Sequence, residues 1–226
     1  GTLLTDKTQA CALGGLSYGV TNYEMTAAYA SIANGGVYNQ PVLFTKIIDH
    51  DGNVVVDNTT PTSHEVIKPT TAWQLIEAMK SVVTSGTGTP ARLQSGMTCA
   101  GKTGTTNNNS DGWFVGCVPQ LVTAVWVGGD ERDIHFNSTA LGQGSASALP
   151  VWALYMRRVY ADKSLGYDPE RDFDRPVSMQ ETTHRHAASR GGSENEESVE
   201  TSTTNNEATE PVKKAKSKSA AEKYFE

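Results

Sequence analysis

From Gly104 to Gly112 the chain reads Gly-Thr-Thr-Asn-Asn-Asn-Ser-Asp-Gly, nine residues without one sizeable apolar side chain. On host–guest scales two glycines and seven poor helix formers cost roughly 5 kcal/mol relative to alanine, and no apolar face offsets that cost. A helix is therefore excluded directly after Lys102-Thr103. That constraint decides how the preceding residues are read, because Gly96 to Thr103 satisfies G-x-x-x-x-G-K-[ST], the pattern of a phosphate-binding loop. Such a loop works by opening a helix whose N-terminal N–H groups point at the phosphates. Here the required helix is missing. The segment in front, Ala91-Arg92-Leu93-Gln94-Ser95, is mixed and polar where a buried strand is needed, and the second candidate motif, Val125-Trp126-Val127 before Asp130, is broken by Gly128-Gly129. Nucleotide binding is set aside.

Read as a strand, Thr98 to Thr105 sends Lys102 to one side and Thr103 to the other, while Gly104 lets a ligand lie close to the backbone. A lysine offers a point charge to a substrate carboxylate, a threonine hydroxyl adds a hydrogen bond, and an unpaired N–H can stabilise a developing oxyanion. The arrangement suits a peptide bound along a strand edge. Two apolar runs follow, Trp113 to Val118 and Leu121 to Val127, joined by Pro119-Gln120, and together they predict a hairpin.

Upstream, Thr21-Asn22-Tyr23-Glu24 has capping-box spacing, with Met25, Ala28, Tyr29 and Ile32 at helical intervals before Asn34-Gly35-Gly36. A second hairpin is expected from Val42–Ile48, a turn at Asp51-Gly52 and Val54-Val55-Val56. Pro69 opens a helix with Leu75, Ile76, Met79, Val82 and Val83 as its inner stripe, ended by Gly86, and Thr87-Gly88-Thr89-Pro90 is loop. Ser147 is placed as the cap of a last helix whose inner stripe is Trp152, Tyr155, Met156 and Val159.

Composition separates the end of the chain from the rest. From Gln180 to Glu226 only Val199, Val212, Tyr224 and Phe225 are sizeable and apolar, too few to offset ordering entropy, so this stretch is expected to be disordered. Its glutamates precede its lysines, and a solvated tail is the reading adopted. The formal net charge of -6 over 226 residues argues against nucleic acid as a partner. Three cysteines, Cys11, Cys99 and Cys117, lack C-x-x-C spacing and are expected to be buried small hydrophobes. His184 and His186 are assigned to solvent, His50, His64 and His135 to the surface, and Asp130 to Asp133 to an exposed turn. No metal or cofactor is called for. No apolar run approaches the roughly 18 residues of a membrane span.

The context of Lys102-Thr103-Gly104 adds a resemblance. Ala100 to Asn107, Asp111-Gly112-Trp113-Phe114-Val115-Gly116 and Pro119 to Gly128 closely resemble the transpeptidase domain of class A penicillin-binding proteins. So do Gly19-Val20-Thr21 with Glu24-Met25, Ala28-Tyr29-Ala30, Ala33-Asn34-Gly35-Gly36, the Gly86-Thr87-Gly88 loop and Ala148-Leu149-Pro150-Val151-Trp152, all in the family's order from about Ala12 to Tyr160.

The resemblance implies an α+β fold of the β-lactamase and transpeptidase type, an antiparallel sheet flanked by helices, with residues 1–162 in that domain and 163–226 as linker and tail. It implies a serine enzyme that cleaves between two D-alanines of a peptidoglycan stem peptide and joins the acyl group to a neighbouring amine, with β-lactams trapping the serine. Lys102, Thr103, Gly104 and Thr105 would form the catalytic and substrate-binding strand, with the Thr105 N–H as half of the oxyanion hole. The expected setting is the cell envelope, on the outer face of the cytoplasmic membrane, with an upstream anchor and a glycosyltransferase domain as further parts the resemblance implies.

One departure limits the match. No lysine has a serine three residues before it, so S-x-x-K is absent, and the only S-x-N, Ser193-Glu194-Asn195, lies after K-T-G and in the tail. Both motifs precede K-T-G in the family, and the chain opens with Gly rather than Met. The expectation is a chain that begins inside its domain, partnered by the missing upstream part and inactive alone. A serine D,D-carboxypeptidase or β-lactamase, a non-catalytic β-lactam-sensing or binding module, and a purely structural envelope protein in which the Lys102 motif has no role are the alternatives.

Overall fold

The structure is a computed structural model that describes residues 6–93 and 97–179. The chain divides into two units, 1–180 and 181–226, and the expectations for the tail, including His184, His186 and the lysine-rich end, lie outside the described residues.

Two helices, two small sheets and one larger sheet come first in the chain. Helix α1 runs Asn22–Ala33 behind a complete capping box, in which the Thr21 side chain accepts from Glu24 N and the Glu24 carboxylate accepts from Thr21 N. Strands β1 (Val37–Asn39) and β4 (Ser63–Glu65) pair antiparallel, a pairing absent from the sequence reading. Strands β2 (Lys46–Ile48) and β3 (Val54–Asp57) form the expected hairpin around Gly52. It is shorter than the sequence suggests: Val42, Leu43 and Phe44 fall outside the strand and are exposed, following Pro41, which lacks an N–H for a ladder.

Helix α2 (Pro69–Ser85) opens with Pro at its first turn and buries Ala72, Ile76, Met79 and Val83. Leu75, expected inside, is exposed, and Ala72 takes a place on the inner face. The larger sheet is antiparallel, in the order β5 (Ala100–Thr105), β6 (Asp111–Val118), β7 (Leu121–Gly128). A four-residue helix α3 (Thr139–Gly142) precedes α4 (Ala148–Ala161).

Alternation along β6 splits the core between the two sheet faces. Phe114 and Val118 meet α4 through Leu149, Trp152, Ala153 and Met156. Cys117, with Ala100 of β5, meets Ile76 and Met79 of α2 and Tyr29 and Ile32 of α1. Helix α1 is only half covered. Ala28 of its expected stripe is exposed, while Ser31 is buried and donates its hydroxyl to the Ala27 carbonyl at 2.9 Å.

The close seating of α4 depends on glycine. A Cβ at Gly116 would stand 2.2 Å from the Trp152 ring, which packs edge-on against Phe114 with centroids 5.1 Å apart. Ser147 does not cap α4 with its side chain. Its hydroxyl donates instead to the Gln143 carbonyl at 3.1 Å, because the preceding turn is already coiled. Tyr155, expected inside, is exposed.

Two further features concern the cysteines and the segment after α4. Cys99 and Cys117 are buried, and burial pushes both thiols up to about 12, but Cys11 is exposed. The segment after Asp162, expected to be linker, carries Phe173 into the core beside Ile76 and Met79. Gln120 also holds it, accepting from Asp168 N at 2.7 Å.

Trp152 Nε1 is buried and finds no hydrogen-bond partner. Trp152→Ala is expected to cost about 3–5 kcal/mol as a large-to-small core change. Trp152→Phe should cost markedly less, because it keeps most of the ring and removes an unsatisfied donor. Urea unfolding of the two variants checks the order, and equal losses would contradict it.

Candidate active site

Strand β5 is the outer strand of the described sheet, and the phase of its ladder decides what its free side presents. Thr106 N donates to the Asp111 carbonyl at 3.1 Å, and the register pairs Thr105 with Gly112, Gly104 with Trp113 and Lys102 with Val115. In an antiparallel pair, hydrogen-bonded and non-hydrogen-bonded partners alternate. Lys102 and Gly104 therefore bond to β6, and Thr103 and Thr105 turn their N–H and C=O groups to the open edge. The Lys102 Nζ donates to the Thr103 carbonyl at 2.8 Å, which places that oxygen within reach from outside the ladder.

The two threonine side chains share one sheet face, being two residues apart. Thr103 Oγ1 lies 2.9 Å from Thr87 Oγ1, in the loop that follows α2. Thr105 Oγ1 accepts from Gly144 N at 3.1 Å. Gly144 sits so tightly on the ladder that a Cβ would stand 2.2 Å from the Trp113 carbonyl oxygen and 2.4 Å from that of Gly104. The Gly86-Thr87-Gly88 loop belongs to the family pattern, but neither a role for Thr87 nor the approach of Gly144 follows from the sequence alone. The signal was the clustering of small residues from Gly142 to Ala148, which permits close backbone approach.

After Thr105 the chain turns at once into β6 through Asn107–Asn109, with Asn108 and Asn109 at φ 63° and 58°. Asparagine tolerates this left-handed region better than most residues. No helix follows Lys102-Thr103, as the residue types required. The turn is held from below by Asp111. Its carboxylate accepts from Trp126 Nε1 at 2.9 Å, and the Thr106 and Ser110 hydroxyls lie 3.0 Å from its other oxygen. Burial alone would raise the Asp111 carboxyl, but hydrogen bonds from Trp126, Ser110 and Thr106, with Arg132 nearby, hold it below its ordinary 3.8.

The remaining candidates stay apart from this strand. His50 is exposed beside Asp51 at 3.1 Å, His64 packs its ring on Tyr38 with centroids 5.3 Å apart, and His135 is exposed. Asp130 and Asp133 are exposed. Among the described residues no group of three His, Cys, Asp or Glu could hold a metal ion, and no helix is long and apolar enough to cross a membrane.

The Penicillin binding protein transpeptidase domain family matches residues 4–142. The chain belongs to that family. Penicillin-binding protein 1A of Aquifex aeolicus is 37% identical over 157 residues, covering 67% of this chain and 20% of that protein. Penicillin-binding protein 1A of Clostridium acetobutylicum is 34% identical over 173 residues, covering 76% of this chain and 20% of the relative. The chain thus spans about a fifth of the length of these relatives. The crystal structure of penicillin-binding protein 1A from Haemophilus influenzae aligns with a TM-score of 0.61 at 25% identity, over 75% of this chain and 30% of that one. PonA1 from Mycobacterium tuberculosis aligns at 0.51 with 32% identity, over 68% of this chain and 40% of that one. The class A resemblance and the mixed helix and antiparallel-sheet fold expected from it are borne out.

The depressed Asp111 carboxyl carries a pH signature for the transpeptidase-family strand pair. Its contribution to stability is complete above 3.8, declines as pH falls below that value, and is gone beneath the lower pKa of the folded state. Urea unfolding between pH 7 and pH 3 is expected to show a shallower acid loss for Asp111→Asn than for the unchanged chain. Identical slopes would remove Asp111 from the account.

Proposed function

We propose that this chain supplies the substrate-binding strand of a serine D,D-transpeptidase that cross-links peptidoglycan stem peptides at the outer face of the cytoplasmic membrane. The observation that carries the reading is the open edge of β5, to which Thr103 and Thr105 turn their backbone groups and where the Lys102 ammonium reaches the Thr103 carbonyl. An extended peptide ending in a carboxylate matches that edge. Its backbone would add to the strand, and its terminal charge would meet Lys102 and the hydroxyls of Thr103 and Thr105.

In this reading a serine from the S-x-x-K part of the domain attacks the carbonyl between the two D-alanines. The Thr105 N–H then provides one donor for the oxyanion, the terminal D-alanine leaves with a proton, and the acyl group passes to the amine of a neighbouring stem. A β-lactam, which carries its carboxylate at a corresponding distance from the reactive carbonyl, acylates the same serine. The chain holds no S-x-x-K, so the nucleophile belongs to a part of the domain outside this sequence. A membrane anchor and a glycosyltransferase domain belong with the same larger protein.

Two experiments test the reading with a fluorescent penicillin. The chain alone should form no covalent adduct, whereas the full-length protein should, and a stable adduct on the chain alone would overturn the assignment of the nucleophile. In the full-length protein, Lys102→Ala should slow acylation by about 100-fold, the scale of removing one preorganised electrostatic group. An unchanged rate would remove Lys102 from the site.

A further inference from the structure

The strand threonines each have a partner outside the strand, and those partners fix which way their protons can point. A hydroxyl has one proton to donate and two lone pairs to accept with. Gly144 N–H can only donate, so the Thr105 hydroxyl is an acceptor in that bond and keeps its own proton free. Thr103 faces another hydroxyl, that of Thr87, and either of the two can be the donor. When a carboxylate lies on the edge, Thr103 must give its proton to the anion, and Thr87 must then turn its own proton onto Thr103. The result is a relay of donors, Thr87 to Thr103 to ligand, matching the one from Gly144 to Thr105 to ligand.

Thr87 is presented from an anchored turn. Gly86 N and Gly88 N both donate to the Val82 carbonyl at 3.0 Å, closing the last turn of α2. A Cβ at Gly86 would stand 2.9 Å from Val82 Cα, so the turn lies directly on the helix end. Arg92 adds Nε to the Val83 carbonyl at 3.2 Å and Nη2 to the Thr84 carbonyl. With three successive carbonyls of α2 capped in this way, the Thr87 hydroxyl is carried on the end of a core helix.

We propose that Thr87 is a positioning residue for carboxylate recognition, donating to Thr103 so that the Thr103 hydroxyl is committed as a donor to the substrate's terminal carboxylate. The inference rests on the transpeptidase reading of β5 and deepens it. Thr87 and the pair it forms are open to solvent, so the bond is worth little to folding, and its purpose shows in ligand binding.

The test uses the full-length protein and two probes, a penicillin with its free carboxylate and the methyl ester of the same compound. Thr87→Val keeps the shape and removes the donor. It should lower the second-order acylation rate with the free acid by about tenfold, the scale of one hydrogen bond to a charged group, and change the ester rate far less. Thr87→Ser should restore the rate with the acid, and Tm should hold steady across the series. Three results would overturn the proposal: an unchanged acid rate in Thr87→Val, equal losses on acid and ester, or a fall in Tm that tracks the loss. Thr103→Val separates this from the underlying reading. A loss there with none at Thr87 sinks the relay alone, whereas no acylation of the unchanged protein, or no effect of Thr103→Val, sinks both.

Discussion

The hydrogen-bonding phase between β5 and β6 governs everything the candidate site can do. A slip of one residue would exchange the groups that face the open edge, turning Thr103 and Thr105 into the ladder and sending Lys102 and Gly104 out, and would reverse every side chain across the sheet. Close fits fix how α4 and its approach lie on β6, and one of them spans both strands. Gly116 sits under the Trp152 ring, Gly112 under the Ser147 hydroxyl at 2.1 Å from where a Cβ would be, and the Trp113 and Gly104 carbonyls lie beneath Gly144. Each glycine is a place where α4 or its approach comes closer to the sheet than a methyl group permits. Only Gly144 lies against carbonyls of both β5 and β6, so it is the contact that spans the ladder.

Local features of this arrangement were legible in the sequence because they are local. The Thr21 to Glu24 box spans one helical turn, the β6 and β7 runs are adjacent, and the polar stretch from Gly104 to Gly112 excludes a helix by residue type alone. The K-T-G strand was visible through its context, and its edge position was reasonable for a peptide site. The features that escaped are those whose partners lie far along the chain. Thr87 meets Thr103 sixteen residues away, Gly144 meets Thr105 across thirty-nine, and Phe173 packs on Ile76 and Met79 of a helix that ends at Ser85. Periodicity reports which face of an element is apolar, and it carries no information about which distant residue will arrive there.

The departures at α2 and α4 share a cause. Each expected stripe includes a large side chain on its margin, and Leu75 and Tyr155 are exposed while small residues, Ala72 and Ala153, take the close contacts. The three described strands of the sheet cover a narrow band of each helix, so the small residue at the centre of the band counts for more than the large one at its border.

Helix α2 links this core to the site through its packed residues and its C-terminal end. Lys80, in the middle of the helix, contacts Glu77 at 2.9 Å and Asp172 at 3.0 Å while lying over the rings of Trp73 and Phe173. Three kinds of attraction, ionic, hydrogen-bonding and cation–π, thus converge on one ammonium group and tie the segment after α4 to the helix. Ile76 and Met79 pack with Phe173 of that segment and with Ala100 of β5, the first residue of the strand that carries Lys102. The helix is therefore held by both, and its last carbonyls hold the turn that presents Thr87 to Thr103. A hydroxyl on an exposed loop acquires the positional precision of a core element in this way, which is what a binding edge needs from groups that fold stability alone does not require.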